Sequence, residues 1–204
     1  MVRMVIAGLV LVALVAACGG GDRDLAFSLT PSPTVAPAVV VSEDEGFVTY
    51  RDDEGFITIM LPERWEVLQD LQAFNPEGSQ ISYVLFAGVR QNPPFISPLL
   101  NVLTQPLSSQ PESIEGLLEA HLEDLRTTFD TLEVLWQEAT EVSGRPAMLV
   151  EYRGGLGRQT VQAMAMVVWD GDVRWVGTCG GSFGGESTDR AECEGVLRSI
   201  RIVE

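Results

Sequence analysis

The sequence contains no lysine, one histidine (His121) and three cysteines (Cys18, Cys179 and Cys193). Without lysine, no Gly-Lys-Ser/Thr phosphate loop can exist. With one histidine, and no cysteine at ligand spacing beside it, a zinc centre is not expected. Basic charge is also scarce: 13 arginines face 29 acidic residues, for a net charge of −16. A surface of that sign repels phosphate backbones, and no basic stripe interrupts it, which argues against nucleic acid as a partner. It would equally be repelled by anionic lipid head groups, so residence at a membrane needs a hydrophobic anchor. Acidity can favour cationic partners, although solubility explains it as well. No apolar run is long enough for a comfortable transmembrane helix of about 20 residues.

The longest apolar run, Met4 to Ala17, follows the positive charge of Arg3 and ends in small residues, the pattern of a secretory signal. Val15-Ala16-Ala17-Cys18 is similar to a lipobox, the motif cut immediately before a cysteine in bacterial lipoproteins. That resemblance implies a signal peptide over 1–17 and a diacylglycerol thioether on Cys18, with a second or third acyl chain giving the stable anchoring that one chain lacks. An ordinary cleaved signal with a chance cysteine is the alternative. Loss of Arg3 with the signal would leave twelve arginines against the 29 acids. The expected location is the extracytoplasmic face of the cell membrane.

Residues 18–45 read as the lipidated cysteine and a flexible tether. The tether opens with Gly19-Gly20-Gly21 and includes Ser28-Leu29-Thr30-Pro31-Ser32-Pro33, a composition that stays extended and unpacked. About 27 such residues reach near 30 Å, at roughly 5–6 Å × √n. The folded part is expected over 46–204. Period-2 alternation marks strands at 47–50, 56–61, 81–89, 99–107, 132–136, 146–152, 161–169, 173–178 and 199–203. Asp170-Gly171 is a two-residue hairpin signal. A helix is predicted from Glu112 to Phe129, with Ser109 and Glu112 at capping-box spacing and Pro111 inside the first turn. Its apolar arc is Ile114, Leu117, Leu118, Leu122, Leu125 and Phe129, with His121 in the middle of the arc. Glu115, Glu119 and Glu123 lie opposite, where a cation-binding ridge is conceivable. A second, short helix is expected over 188–196. Hairpin-linked strands with two interposed helices argue an α+β fold, an antiparallel sheet with helical cover.

Three cysteines in an exported chain divide into one lipidated residue and one pair, Cys179 and Cys193. A bond closing about 15 residues contributes roughly 3 kcal/mol in the chain-entropy picture. Two free buried thiols are the alternative. Gly180-Gly181-Ser182-Phe183-Gly184 fits G-x-S-x-G formally, but a nucleophile elbow needs a histidine in its triad. No histidine follows Ser182. His121 precedes it on a helix, where a hydrogen-bonded core histidine is the plainer reading. A glycine turn that lets two backbones approach is the plainer reading of the loop. The acidic groups 43–45 and 52–54 lack calcium-loop spacing and are expected as solvated turns.

Tyr50-Arg-Asp-Asp-Glu-Gly-Phe-Ile-Thr-Ile-Met-Leu-Pro-Glu-Arg-Trp65 resembles the opening of PsbP-like domains, with an acidic turn, a Gly-Phe strand and Pro-x-x-Trp. The central helix, Gly144-Arg-Pro-Ala leading a strand, the late hairpin and the terminal Ser-Ile-Arg-Ile are similar as well. The resemblance covers about 46–204 and implies an antiparallel sheet between helices, a PsbP-like α/β/α sandwich. That family includes extrinsic photosystem subunits and bacterial lipoproteins of unassigned role, chiefly binding or assembly proteins. The reading is therefore of a membrane-tethered, non-catalytic module with no cofactor or metal, whose partner is an envelope protein or a cation. A small envelope hydrolase using Ser182 or an acidic pair is the alternative.

Overall fold

The computed structural model describes residues 43–44, 46–52, 54–68, 80–90, 96–181 and 190–203. The signal, Cys18, nearly all of the tether and Ser182 lie outside these residues. Among the described residues eleven strands form two sheets. The smaller joins β1 (Glu43–Asp44), β2 (Phe47–Arg51), β3 (Ile57–Pro62) and β11 (Arg201–Ile202) in that order. The larger has the order β4-β5-β6-β10-β9-β8-β7, from β4 (Glu66–Leu68), β5 (Ser82–Arg90), β6 (Ile96–Pro106), β7 (Thr131–Val142), β8 (Arg145–Leu156), β9 (Gln159–Asp170) and β10 (Val173–Gly181). Every pairing is antiparallel. Two helices complete the described chain, α1 (Ile114–Thr128) and α2 (Arg190–Arg198).

Alternation along the central strands divides the interior in two. Ala147, Leu149, Met164, Met166, Val168, Trp175 and Cys179 face Ile57, Ile59 and Leu61 of β3 and Val196 and Leu197 of α2. Their neighbours Met148, Val150, Tyr152, Ala163, Ala165, Val167 and Val176 face Leu117, Leu118 and Leu122 of α1. Buried on both faces, β8 and β9 read as nearly continuous apolar runs rather than as clean alternation. Gly177 lets α2 close on the sheet, because a Cβ there would lie 2.7 Å from Cδ1 of Ile200 and 3.2 Å from Cδ2 of Leu197. Ser199, expected inside a strand, is instead the joint between α2 and β3. Its hydroxyl accepts from Met60 N at 2.9 Å and donates to Val196 O at 2.6 Å.

Several elements differ from the sequence reading. Helix α1 starts later than Glu112 because Ser113, not Ser109, is its N-cap, accepting from Gly116 N at 3.1 Å. Strand β7 runs on to Val142 where alternation had predicted an end near Trp136. It is an edge strand, and its outer half is polar because little covers it. Ser143 and Gly144, at φ 51° and 76°, then turn it directly into β8. That left-handed pair suits a two-residue hairpin, and Ser143 Oγ accepts from Ile202 N at 3.0 Å. The first strand, Glu43–Asp44, pairs with Val48 and Phe47, so sheet pairing begins within the stretch read as tether. Asp52 is not a solvated turn residue. It is 5% exposed, and its carboxylate accepts from Ile57 N at 2.6 Å, organising the β2–β3 turn.

Candidate functional site

Two polar clusters interrupt the apolar layers, one under each helix. Under α1, Arg174 projects from β10 between Val173 and Trp175. Its guanidinium donates to Gln105 Oε1 of β6 through Nε at 3.1 Å and Nη2 at 2.5 Å, and also pairs with Asp124 of α1. A buried arginine needs such partners, since a lone charge away from water is costly. His121, one turn before Asp124 on the same helix, is 7% exposed, and its Nε2 has no hydrogen-bond partner. Burial first, then the Arg174 charge, push its pKa down to about 4 against a smaller opposing pull from Asp124. It is the expected core histidine, but it is not hydrogen-bonded at Nε2.

Under α2, Glu151 of β8 receives Arg190 Nε at 2.9 Å and Gln162 Nε2 at 2.7 Å. The Arg190 guanidinium also lies 5.4 Å from the Trp136 ring centroid and bonds Glu194 at 3.0 Å. Arg198 continues the chain of charge to Glu194 at 2.9 Å and Glu138 at 2.5 Å. Burial alone would raise the Glu151 pKa, but the hydrogen bonds from Arg190 and Gln162 and the charges of Arg190 and Arg153 outweigh it and leave it lowered. The disulfide Cys179–Cys193, with Cα atoms 5.6 Å apart, ties α2 to β10 beside this network.

The carboxylates of both arrangements are matched by arginine. A carboxyl that donates protons near neutral pH must have a raised pKa. Among the described residues the two carboxyls with resolved shifts, Glu115 and Glu151, both move down. A histidine held near 4 is a weak base. Ser182 lies outside the described residues. Gly180 belongs to β10 rather than to a turn, paired with Ala163, and a Cβ on it would lie 2.7 Å from the Cβ of Ala163. Of the acidic ridge, Glu119 and Glu123 both pair with Arg126, at 2.6 and 3.1 Å. Among the described residues no His, Cys, Asp or Glu group is arranged to hold a metal ion, and no helix is long and apolar enough to cross a membrane.

The sequence reading singled out His121 and the two cysteines but missed Arg174, Glu151, Arg190 and Trp136. A signal was present in two of them. Arg174 and Glu151 each stand alone among large apolar residues, in Val-Arg-Trp-Val and Leu-Val-Glu-Tyr, where a charge must find a buried partner.

No protein-family model matches the sequence, and no curated protein matches it. Among solved structures, cyanobacterial PsbP (CyanoP) from Synechocystis is similar, with a TM-score of 0.55 and 14% identity over 79% of this chain and 95% of that one. LpqN, involved in cell envelope biogenesis of Mycobacterium tuberculosis, superposes with a TM-score of 0.41 and 12% identity over 81% of this chain and 90% of that one. A Pseudomonas aeruginosa protein of unknown function gives a TM-score of 0.39 and 12% identity over 72% and 86%. The first of these shows that the fold is PsbP-like, as the Tyr50–Trp65 stretch implies. At such identity the likeness is one of fold and not of ligand or partner.

Proposed function

We propose that the chain is a non-catalytic binding or assembly module, held on the extracytoplasmic face of a membrane by lipid on Cys18. In this reading 1–17 is the lipoprotein signal, 18–45 carries the lipid and the tether, and 46–204 is the PsbP-like domain with helices on both sides of its main sheet. The observation that carries it is the lipobox-like Val15-Ala16-Ala17-Cys18 placed a tether's length ahead of an acidic folded domain. A chain with net charge −16 gains nothing from an anionic membrane surface, so its residence there depends on the acyl chains. The Cys179–Cys193 pair fits the oxidising compartment that such an address implies. The polar clusters support a binding role over catalysis, because their carboxylates are matched by arginine rather than poised to give up protons.

The test is fatty-acid labelling and membrane fractionation of the full chain in a bacterial host, comparing wild type with Cys18→Ala. The wild type is expected to take up label and sediment with membranes, and the variant to lose both properties. Membrane retention of Cys18→Ala without label would end the lipid-anchor reading.

A further inference from the structure

The two sheets present four edges among the described residues, and three of them are short. Strand β4 has three residues, and β1 and β11 have two each. The fourth, β7, is twelve residues long and pairs only with β8 among the described strands. An uncovered edge is a row of unpaired N–H and C=O groups that can accept another strand. Its side chains are open to solvent at Glu133, Val134, Gln137, Glu138 and Glu141, and Val134, 38% exposed, is one of two exposed large apolar residues among the described residues. A bulge separates Val134 from Trp136, after which Gln137–Val142 continues in unbroken register with β8. That second half is therefore the regular template.

Charge decides what this edge can take. Glu138 is paired with Arg198 and Glu133 with Arg153, while Glu141 has no ion-pair partner among the described residues. Like charges brought opposite one another across a strand pair destabilise it. A second copy of the chain would bring its own carboxylates to the seam and another net charge of −16. An extended segment carrying arginine or lysine would instead gain main-chain hydrogen bonds and meet the charge of Glu141. Glu141 thus disfavours a second acidic copy at this edge and favours a cationic strand.

We propose that β7, and within it Gln137–Val142, is a strand-addition site for an extended basic segment of a partner protein. The proposal rests on the reading of the chain as a binding module and names the surface that module uses.

The probe is a synthetic octapeptide of alternating arginine and valine, with an alternating glutamate and valine peptide as control, titrated into the full chain and followed by hydrogen exchange. Slowed exchange confined to β7 is expected with the basic peptide and not with the acidic one. Affinity should fall on the order of tenfold between low and high salt, as screening removes the charge contribution. Glu141→Arg should weaken binding by roughly three- to fivefold, the scale of an exposed ion pair. Neighbouring residues in an antiparallel strand turn their N–H groups alternately inward and outward. Of Ala139→Pro and Thr140→Pro, one should therefore weaken binding about tenfold with thermal stability kept, and the other should lower stability by breaking the β8 ladder. Equal binding of both peptides, protection away from β7, or self-association through β7 that the basic peptide does not compete with would each overturn the proposal. Membrane retention through Cys18 is read separately. A lipid-anchored protein that ignores the basic peptide refutes the edge and leaves the tethered module standing.

Discussion

The two faces of the seven-stranded sheet are made by the same residues taken alternately, yet they are held by different means. The α2 face has a short helix of nine residues fixed by the disulfide, by arginine–glutamate pairs on its rim and by the fit of Leu197 and Ile200 over Gly177. The α1 face has a helix of fifteen residues held by leucines, one arginine–aspartate contact and a histidine whose Nε2 is unpartnered. A short helix with few core residues cannot supply much burial, so covalent and ionic ties make up the difference. A longer amphipathic helix can carry a polar defect and still stay docked.

Core truncation should produce the largest effect and should not distinguish the faces. Leu197 and Leu117 are fully buried, and either Leu→Ala change should cost about 4 kcal/mol, within the range for cavity-forming substitutions. Urea unfolding of each variant measures it. A cost below about 1 kcal/mol for Leu197→Ala would mean that α2 hangs on its ties alone.

Removing the disulfide should separate the faces. The double change Cys179→Ser and Cys193→Ser is expected to lower stability by roughly 3 kcal/mol, and reductant should shift the wild type by a similar amount while leaving the double variant untouched. Amide exchange should accelerate in α2 before α1. Equal acceleration in both helices would show that the bond stabilises the domain as a whole rather than one layer.

What was legible beforehand follows the same division. The β9–β10 hairpin and the apolar arc of α1 were readable because each rests on local signals, a turn dipeptide and a 3.6-residue period. The extent of β7 was not, since an edge strand with one side in water carries too few apolar positions to keep alternation visible. The cap of α1 was misread because Ser109 and Ser113 both offer a hydroxyl, and only the backbone geometry at Ser113 (φ −156°, ψ 169°) brings one to Gly116 N. Asp52 and Arg174 were hidden for a further reason. Their partners are Ile57 N, Gln105 and Asp124, and the last two are joined to Arg174 only by the tertiary fold. Of the candidate sites, the cysteine pair was visible from the count of cysteines and the export expected of the chain, whereas the charge network around Glu151 depends on where α2 lands.

Acid should weaken the α1 face selectively. His121 is held neutral in the folded protein, with a pKa near 4 against 6.5 ordinarily, through burial and the adjacent Arg174. The unfolded chain therefore binds its proton first, and the stability tied to neutral His121 is complete above pH 6.5 and drains away as pH falls toward 4. The expected loss over that window is roughly 2–3 kcal/mol. His121→Leu removes this component, so the difference in urea midpoint between variant and wild type should grow in favour of the variant as pH drops. Carboxylates that titrate over the same range affect both proteins alike and cancel in the comparison. A difference that stays constant between pH 7 and pH 4 would show that His121 reaches solvent or a partner on protonation.

The smallest expected effect locates the start of α1. Ser113 caps the helix, and Glu115 behind it is held below its ordinary pKa, first by its own backbone N–H and then by the Ser113 hydroxyl. Ser113→Ala should cost about 1 kcal/mol, the usual penalty for losing an N-cap oxygen, and should speed exchange in the first turn. Ser109→Ala should cost nothing measurable, because Ser109 is exposed and lies outside the helix. The α1 face has no covalent tie to compensate, so a frayed first turn loosens Leu117 and Leu118, the residues that seat the helix on β8 and β9. If Ser109→Ala costs as much as Ser113→Ala, the helix begins a turn earlier in solution.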